Sequence, residues 1–488
     1  MSNAHLPDSF ADWLRFLASA VLTTGLLSVV VACHAPIAHE TPDGPIPAEK
    51  DADSNGPTQQ SPAVEADDDF DLFEDEYENP GDSAEPFNQK ILDERVAFII
   101  PKVEELRGQK FKHDVPAGMH TVEEFIDFAM KDFDEEYGLD KFAETAEAYR
   151  LLGLIDPELD LLQTTLDLLR SQVGGYYDPK TKSFYMIDSF KQGGMADIIL
   201  AHELTHALDD QQYDLQKMMG VAKDNADYEF AVRSVAEGSG TSLMNLFALQ
   251  GMLAGWISMD AASMSAMMAD QSDSIRDAPP YLIITLTLPY MEGNKLLTRE
   301  TEAMTATMAV PKAEDLDYAF KNPPRSSEQV LHIEKYWQED LRDEPTVLEL
   351  PDRSADFGDG WVLQDQNVLG ELGSFIMSAE TLPDLATVQG QIAGRWTNEA
   401  TSGWDGDLYQ SYLGPDGERV LVWTSIWDSD ADASEFYEAY YAQASRTNAH
   451  LQMILVRGSV VLAAYSNEAG KVALASAELK APELTRTP

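Results

Sequence analysis

Residues 195–208 read Met-Ala-Asp-Ile-Ile-Leu-Ala-His-Glu-Leu-Thr-His-Ala-Leu. They contain no Pro or Gly and carry apolar residues at helical spacing, which predicts a helix with a buried flank. Residues four apart share one helix face, so His202 and His206 point the same way and can hold one metal ion. Glu203 then lies beside the ion, where it can accept a proton from water. The motif H-E-x-x-H is typical of zinc sites on helices. The alternative is a surface helix whose histidines only pack or form hydrogen bonds.

A catalytic zinc site usually has three protein ligands and one open position, so a third ligand is expected. The best candidate is Glu237, on a second helix predicted over Asp227–Met244. Gly238 and Gly240 follow it in the sequence. Each glycine makes a helix about 1 kcal/mol less stable than alanine would, so its presence there needs an explanation. Close approach to the first helix would supply one. Glu229 is the rival ligand, and a solvated carboxylate is the alternative for Glu237.

A hairpin is predicted before the first helix. Residues 174–179 read Gly-Gly-Tyr-Tyr-Asp-Pro, and a turn leads from them to Ser183-Phe-Tyr-Met-Ile187. Aromatic and β-branched residues around a Pro-containing turn favour two strands. Such a strand beside the helix could pair with an extended peptide by edge addition.

These segments carry a resemblance to the gluzincin metallopeptidases, in which helices supply His, His and Glu to zinc. The chain is more closely similar to a group of bacterial proteins predicted to be metallopeptidases, many of them predicted lipoproteins. The resemblance spans roughly residue 94 to the C-terminal region. The segments that match this group are short and specific. They are residues 174–179, 202–211, 236–238, 324–332 and 403–407.

The resemblance implies a zincin-like fold and one zinc ion per chain, bound by His202, His206 and Glu237, with Glu203 as general base. Thermolysin-like gluzincins have an acidic residue four positions after the ligand Glu, which orients the first histidine. Here that position is Thr241, so another residue must orient the histidine rings. Asp209 and Asp210 are the candidates, because they lie close to His206 on the same helix. Zinc would share the developing oxyanion with one further donor. The candidates for that donor are His332 and Tyr336, with Arg325 as a weaker third; the alternative is that His332 orders a turn.

The N-terminus predicts a membrane attachment. Residues 1–33 resemble a bacterial lipoprotein signal, with an apolar core over Leu14–Ala32 that ends at Cys33, which would be lipidated. Cys33 is the only cysteine, so no internal disulfide is possible. Anchoring by the uncleaved segment is the alternative. His34 follows the cysteine in place of Asp, so the usual inner-membrane retention signal is missing. This predicts an outer-membrane lipoprotein facing the periplasm or the cell surface.

Residues 34–85 predict a disordered acidic tether, because Pro, Gly, Ser and acidic residues cannot bury enough apolar surface to offset ordering entropy. Residues 35–90 hold 16 acidic and two basic residues, and the first 34 residues have a net charge of −1, so the remainder carries −36 of the total −51. This excess of negative charge disfavours nucleic-acid binding. A salt-adapted surface and the steering of cationic peptides both remain open as explanations.

The rest of the chain predicts an α+β fold in two parts. Residues 86–344 are predicted to be mainly helical, with a capping box at Thr121–Glu124. Residues 345–488 are predicted as a smaller α+β domain, because two strands around Gly414-Pro-Asp-Gly417, a helix, and two more strands around Arg457-Gly458 follow one another. This order suggests a small sheet covered by helices on one face.

Together these features predict a membrane-anchored zinc metallopeptidase that hydrolyses peptide bonds in the bacterial cell envelope. Its partners would be a peptide or protein substrate and the membrane. The alternative is a non-catalytic envelope lipoprotein that uses a peptidase-like fold to bind peptides or assembly partners. Glu203 favours catalysis, since a purely structural zinc site has no need of a base.

Overall fold

The structure is a computed structural model. It describes residues 20–22, 87–136, 138–190, 193–222, 225–257, 276 and 278–481. Cys33, the predicted tether at 34–85 and residues 258–275 lie outside the described residues. Within the described part of the chain, no helix is both long and apolar enough to cross a membrane.

The first region, up to residue 344, is mainly helical, as predicted. Its helices, in chain order, are α1 (Gln89–Arg107), α2 (Val122–Glu136), α3 (Leu139–Leu152), α4 (Leu161–Gln172), α5 (Gly194–Tyr213), α6 (Leu215–Gly220), α7 (Ala226–Ala254), α8 (Pro280–Thr298), α9 (Ala303–Met308), α10 (Ala313–Lys321), α11 (Ser327–Leu331) and α12 (Ile333–Trp337). The capping box is confirmed, because the Thr121 N–H donates to Glu124 Oε2 (2.8 Å) and the Glu124 N–H donates to Thr121 Oγ1 (3.1 Å).

Four strands form a first sheet beside α5. They are β1 (Ala20–Leu22), β2 (Ala117–His120), β3 (Val173–Asp178) and β4 (Ser183–Ile187), in the order β1-β3-β4-β2. The predicted hairpin is confirmed as β3 and β4, which pair antiparallel, while β2 pairs parallel to β4. The short strand β1 lies within the apolar stretch assigned to the signal segment and pairs antiparallel with β3.

Two buried Arg–Asp pairs fasten α5 to α1. Arg95 donates from Nε to Asp197 Oδ1 at 2.8 Å in the first turn of α5, and Arg107 pairs with Asp209 twelve residues further on. The paired residues are twelve apart in both helices, or about 18 Å along each axis. Since each ion has its partner, burial of these charges is compensated, and α5 is held at two points.

Helices α7 and α8 cross in backbone contact at two glycines. A Cβ added at Gly238 would overlap the backbone of Gly293, and a Cβ at Gly293 would overlap the carbonyl oxygen of Ser234. Any larger residue at either position would push the helices apart.

The second region contains a five-stranded sheet with helices. Its helices are α13 (Ser354–Phe357), α14 (Gly370–Ser378), α15 (Val388–Ala393), α16 (Asp430–Thr447) and α17 (Lys471–Ser476), and its strands are β5 (Val362–Asn367), β6 (Trp404–Leu413), β7 (Arg419–Trp427), β8 (Leu451–Arg457) and β9 (Val460–Ser466). The predicted strand–strand–helix–strand–strand order is present as β6, β7, α16, β8 and β9. The strand order in the sheet is β5-β6-β7-β9-β8, and β5 was not predicted.

Both faces of this sheet are covered, whereas the sequence suggested helices on one face. Trp423 and Tyr465 pack with residues of α16 in one hydrophobic cluster. Val422 and Leu462 lie in another cluster with Trp361 and with residues of the C-terminal segment. The second layer is made of irregular segments and short helices, which carry little periodicity in the sequence.

Asp407 ties the start of α14 to the large sheet within the second region. Its carboxylate accepts hydrogen bonds from the backbone N–H groups of Leu369 (3.0 Å) and Gly370 (2.9 Å) and from the indoles of Trp404 (3.1 Å) and Trp423 (2.9 Å). These four bonds hold the start of α14 against β6 and β7. Gly370 at that start also lies against α7, because a Cβ added there would overlap the carboxylate of Asp227. Residues from Phe125 to Tyr465 then share one hydrophobic cluster that spans both regions.

We expect Gly293→Ala to destabilise the protein by about 3 kcal/mol, because the new methyl group must displace the backbone of α7. Urea unfolding followed by circular dichroism measures the change. Gly220→Ala is the matched control, since nothing lies within 4 Å of the position that its new methyl group would take. Equal stability of the two variants would contradict the close crossing.

Candidate metal centre

Helix α5 carries the H-E-x-x-H motif into the interior. His202 and Glu203 have no exposed surface and His206 is 3% exposed. The helix is buried along almost its whole length, from Gly194 to Asp210. It therefore lies inside the protein, and the alternative of a surface helix is wrong.

Helix α7 brings Glu237 to the two histidines. Glu237 Oε2 lies 3.3 Å from His202 Nε2 and 3.5 Å from His206 Nε2. One ligand atom from each residue lies within 4.8 Å of the other two, and all three residues are buried. These donors have the identity and arrangement of a His-His-Glu metal site. The rival ligand Glu229 lies two turns earlier in α7 and is not part of this group.

The ring of His202 is held by packing. Tyr290 of α8 stacks on it with ring centroids 5.7 Å apart and an interplanar angle of 24°. On α7, a Cβ at Gly240 would approach the ring carbon Cε1 to 2.6 Å. Gly240 thus permits the close approach of α7 to α5, as predicted. The same reason given for Gly238 is wrong, because Gly238 makes room for α8.

Burial and neighbouring charges set the protonation states of His202 and Glu237. Burial lowers the pKa of His202 to about 4, and the neighbouring His206 adds to this effect. Burial raises the pKa of Glu237, but the electrostatic interaction with His206 and the bond to His202 outweigh it, so that its pKa is lowered. A neutral imidazole and an ionised carboxylate are the forms that bind a metal cation.

The two aspartates proposed to orient the histidines have different positions. Asp209 accepts a hydrogen bond from Ser239 of α7 at 2.5 Å, pairs with Arg107, and interacts electrostatically with His206. It joins α1, α5 and α7 beside the cluster. Asp210 accepts instead from the Tyr177 hydroxyl (2.7 Å), Lys182 and the Leu215 N–H (2.9 Å). It therefore fastens the end of α5 to the hairpin and to α6.

The predicted oxyanion donors have other partners. His332 Nε2 lies 3.1 Å from Glu371 and 3.2 Å from Thr397, and the Tyr336 hydroxyl donates to the Asn322 carbonyl at 2.7 Å. No described contact joins either residue to the three cluster residues. The alternative reading of His332, that it orders its loop, agrees with these bonds. The weaker candidate Arg325 lies over the ring of Tyr228.

Two buried residues near the cluster were missed in the sequence. Arg233 is one helical turn before Glu237 and is 1% exposed, and Tyr290 comes from α8, far along the chain. The signal for Arg233 was its spacing of four residues from both Glu229 and Glu237, which places all three on one helix face. Tyr290 lies in α8 three residues before Gly293, but nothing local in the sequence relates it to His202.

A second acidic group lies at the joint between the two regions. Glu328, Asp343 and Asp428 come together there, and Lys335 occupies their centre, 2.5 Å from Glu328 and 3.0 Å from Asp343. The ammonium of Lys335 is the cation that these carboxylates bind, so the three acidic residues and Lys335 form an ion-pair network.

A cavity of about 460 Å³ lies at the same joint, lined in part by Asp227, Tyr228, Arg325 and Trp404. Asp227 is ten residues before Glu237, or about 15 Å along the axis of α7. The cavity is therefore separate from the candidate metal centre.

A match found by comparison with known proteins lies in the second region. Residues 361–474 match a family model described as Domain of unknown function (DUF8575). This segment covers the second sheet with α14 to α16 and excludes the candidate metal centre. No curated protein and no solved structure matches the chain.

We expect Gly240→Ala to weaken zinc binding by at least about tenfold, because the new methyl group must move the His202 ring away from its two co-ligands. Competition with a chromophoric zinc chelator measures the affinity. Gly220→Ala, in open space, is the control. Unchanged affinity in the Gly240 variant would show that His202 is not held by this contact.

His202 should also make the metal-free protein sensitive to acid. In the unfolded chain the group has its ordinary pKa of 6.5, whereas its folded pKa is about 4. Between these values the unfolded chain binds the proton and the folded chain does not, so stability falls as the pH drops through this window, by at most about 3 kcal/mol. Urea unfolding in the presence of a chelator at several pH values tests this. His202→Gln should show a shallower dependence, and an identical slope would contradict the assignment.

Proposed function

We propose that this protein is a zinc-dependent metallopeptidase with a zincin-like catalytic region. The observation that carries the proposal is the buried group of His202, His206 and Glu237, with Glu203 next to His202 in the same helix. Two imidazoles and one carboxylate are one of the ligand sets that hold catalytic zinc with a fourth position left open.

Glu203 is the proposed general base. Zinc, when bound, supplies Lewis acidity and lowers the pKa of water toward neutrality. Glu203 accepts a proton from the attacking water and delivers it to the nitrogen of the leaving amine as the peptide C–N bond breaks. The products are a carboxylic acid and an amine, so one water is consumed per bond. Tyr290 and Gly240 keep the His202 ring in place throughout.

Attachment to the bacterial cell envelope is part of the same proposal and rests on the sequence alone. Cys33 is the predicted lipidation site, and residues 34–85 are the predicted tether to the membrane, with the outer membrane as the predicted location. The strongly acidic body supports a peptide rather than a nucleic acid as substrate.

The test is Glu203→Gln in the full chain. We expect it to keep one zinc ion per chain and to lose peptide hydrolysis by about 10²–10⁴-fold, since only the proton acceptor is removed. Metal analysis and a broad peptide library read by mass spectrometry measure the two properties.

Two other results would decide against this function. If wild type binds zinc but cleaves no peptide, the non-catalytic binding role gains support. If Glu237→Gln binds zinc as tightly as wild type, the ligand assignment is wrong. Asp416→Asn, in an exposed turn of the second region, is the control for both measurements.

A further inference from the structure

A buried cation with an unused donor lies beside the candidate metal centre. Arg233 is 1% exposed, and its Nε is fully enclosed and has no hydrogen-bond partner among the residues that the structure describes. A guanidinium has five N–H donors, and a buried donor left without an acceptor loses the hydrogen bonds it would make in water. A side chain in this state calls for a partner that binds there.

The surroundings of Arg233 connect it to the cluster. It lies one helical turn from Glu229 and one from Glu237, and the charges of both carboxylates act on it, as does Tyr290. Tyr290 in turn stacks on the metal-ligand candidate His202. Arg233 is thus enclosed by the same side chains that shape the proposed catalytic centre.

Charge compensation alone does not account for an arginine. Glu229 and Glu237 compensate its charge, and the compact ammonium of lysine would be compensated equally well. The planar guanidinium differs in its fork of parallel N–H groups, which matches the two oxygens of a carboxylate. Among the described residues, none accepts a hydrogen bond from the Nε of this fork.

We propose that Arg233 binds the C-terminal carboxylate of a peptide substrate, so that the centre removes residues from peptide C-termini. This inference rests on the proposed peptidase function and adds the substrate class. The acidic body repels highly anionic chains at long range, which disfavours runs of acidic side chains as the ligand. A single terminal carboxylate is recognised at short range by the buried fork.

Binding to an inactive protein tests this without relying on turnover. The full chain carrying Glu203→Gln is loaded with zinc and titrated calorimetrically with three probes. These are N-acetyl-Ala-Ala-Phe-Ala-Ala as the free acid, the same peptide as its C-terminal amide, and the amide with Asp replacing one Ala. We expect the free acid to bind at least about tenfold more tightly than either amide, as a charge-assisted bidentate pair allows.

The same titrations are repeated with Arg233→Met and Arg233→Lys added. Methionine removes the charge and the fork, and lysine keeps the charge alone, so both should abolish most of the preference while one zinc ion per chain remains. Arg446→Met, at an exposed position of α16, is the control and should keep the full preference. If the methionine variant fails to fold or to bind zinc, the lysine variant decides.

Three outcomes would overturn the inference. They are equal binding of acid and amide, tighter binding of the Asp amide, and a preference for the free acid that survives both Arg233 substitutions. In each case the zinc-loaded wild type can still cleave peptides, so the proposed function stands. If wild type cleaves none of a broad library and the Glu203 variant binds no probe, both proposals fail.

Discussion

The candidate centre depends on how closely helix α7 can approach its neighbours. Gly238 admits the backbone of α8, and Gly240 admits the imidazole of His202 from α5. Each glycine weakens an isolated helix by about 1 kcal/mol. Both lie in a helix that is buried almost throughout, so tertiary packing outweighs this propensity. The same turn that bears Glu237 is thereby brought against both neighbouring helices.

Buried ion pairs also fix the positions of these helices along one another. Arg95 and Arg107 of α1 pair with Asp197 and Asp209 of α5, and Ser239 of α7 bonds to the same Asp209. A buried pair contributes little net stability, yet loss of one partner costs about 3–5 kcal/mol. The arrangement consequently penalises any sliding of α5 against α1 or α7, because each slide would separate buried charges. Accurate placement of three metal ligands requires this kind of rigidity.

The parts of the fold that the sequence predicted are those with a local signal. Three parts of the fold have such a signal in their own periodicity or turn residues. They are the helix that carries the histidine motif, the hairpin at residues 173–187, and the order of strands and helix in the second region. The strand β5 and the second covering layer of the large sheet lack such a signal. The sequence also could not tell that His332 pairs with Glu371 or that Asp210 bonds to Tyr177, since both partners come from distant segments.

The candidate ligands were predictable for the same reason, and their surroundings were not. His202 and His206 are four residues apart in one helix, and Glu237 is marked by the small residues after it. Tyr290, Arg107 and Ser239 act through contacts between helices far apart in the sequence. Arg233 lay within reach of a local argument, because Glu229, Arg233 and Glu237 follow one helix face.

The hydrophobic cluster that runs from Phe125 to Tyr465 bears on how this chain loses its structure. Two regions with separate interiors would melt one after the other, as independent modules do. Here the aromatic side chains of the large sheet complete the interior of the helical region, and one cluster spans both. The segment at 361–474 therefore belongs to one cooperative unit with the helical region, and a helical region produced without it would expose a broad apolar surface to water.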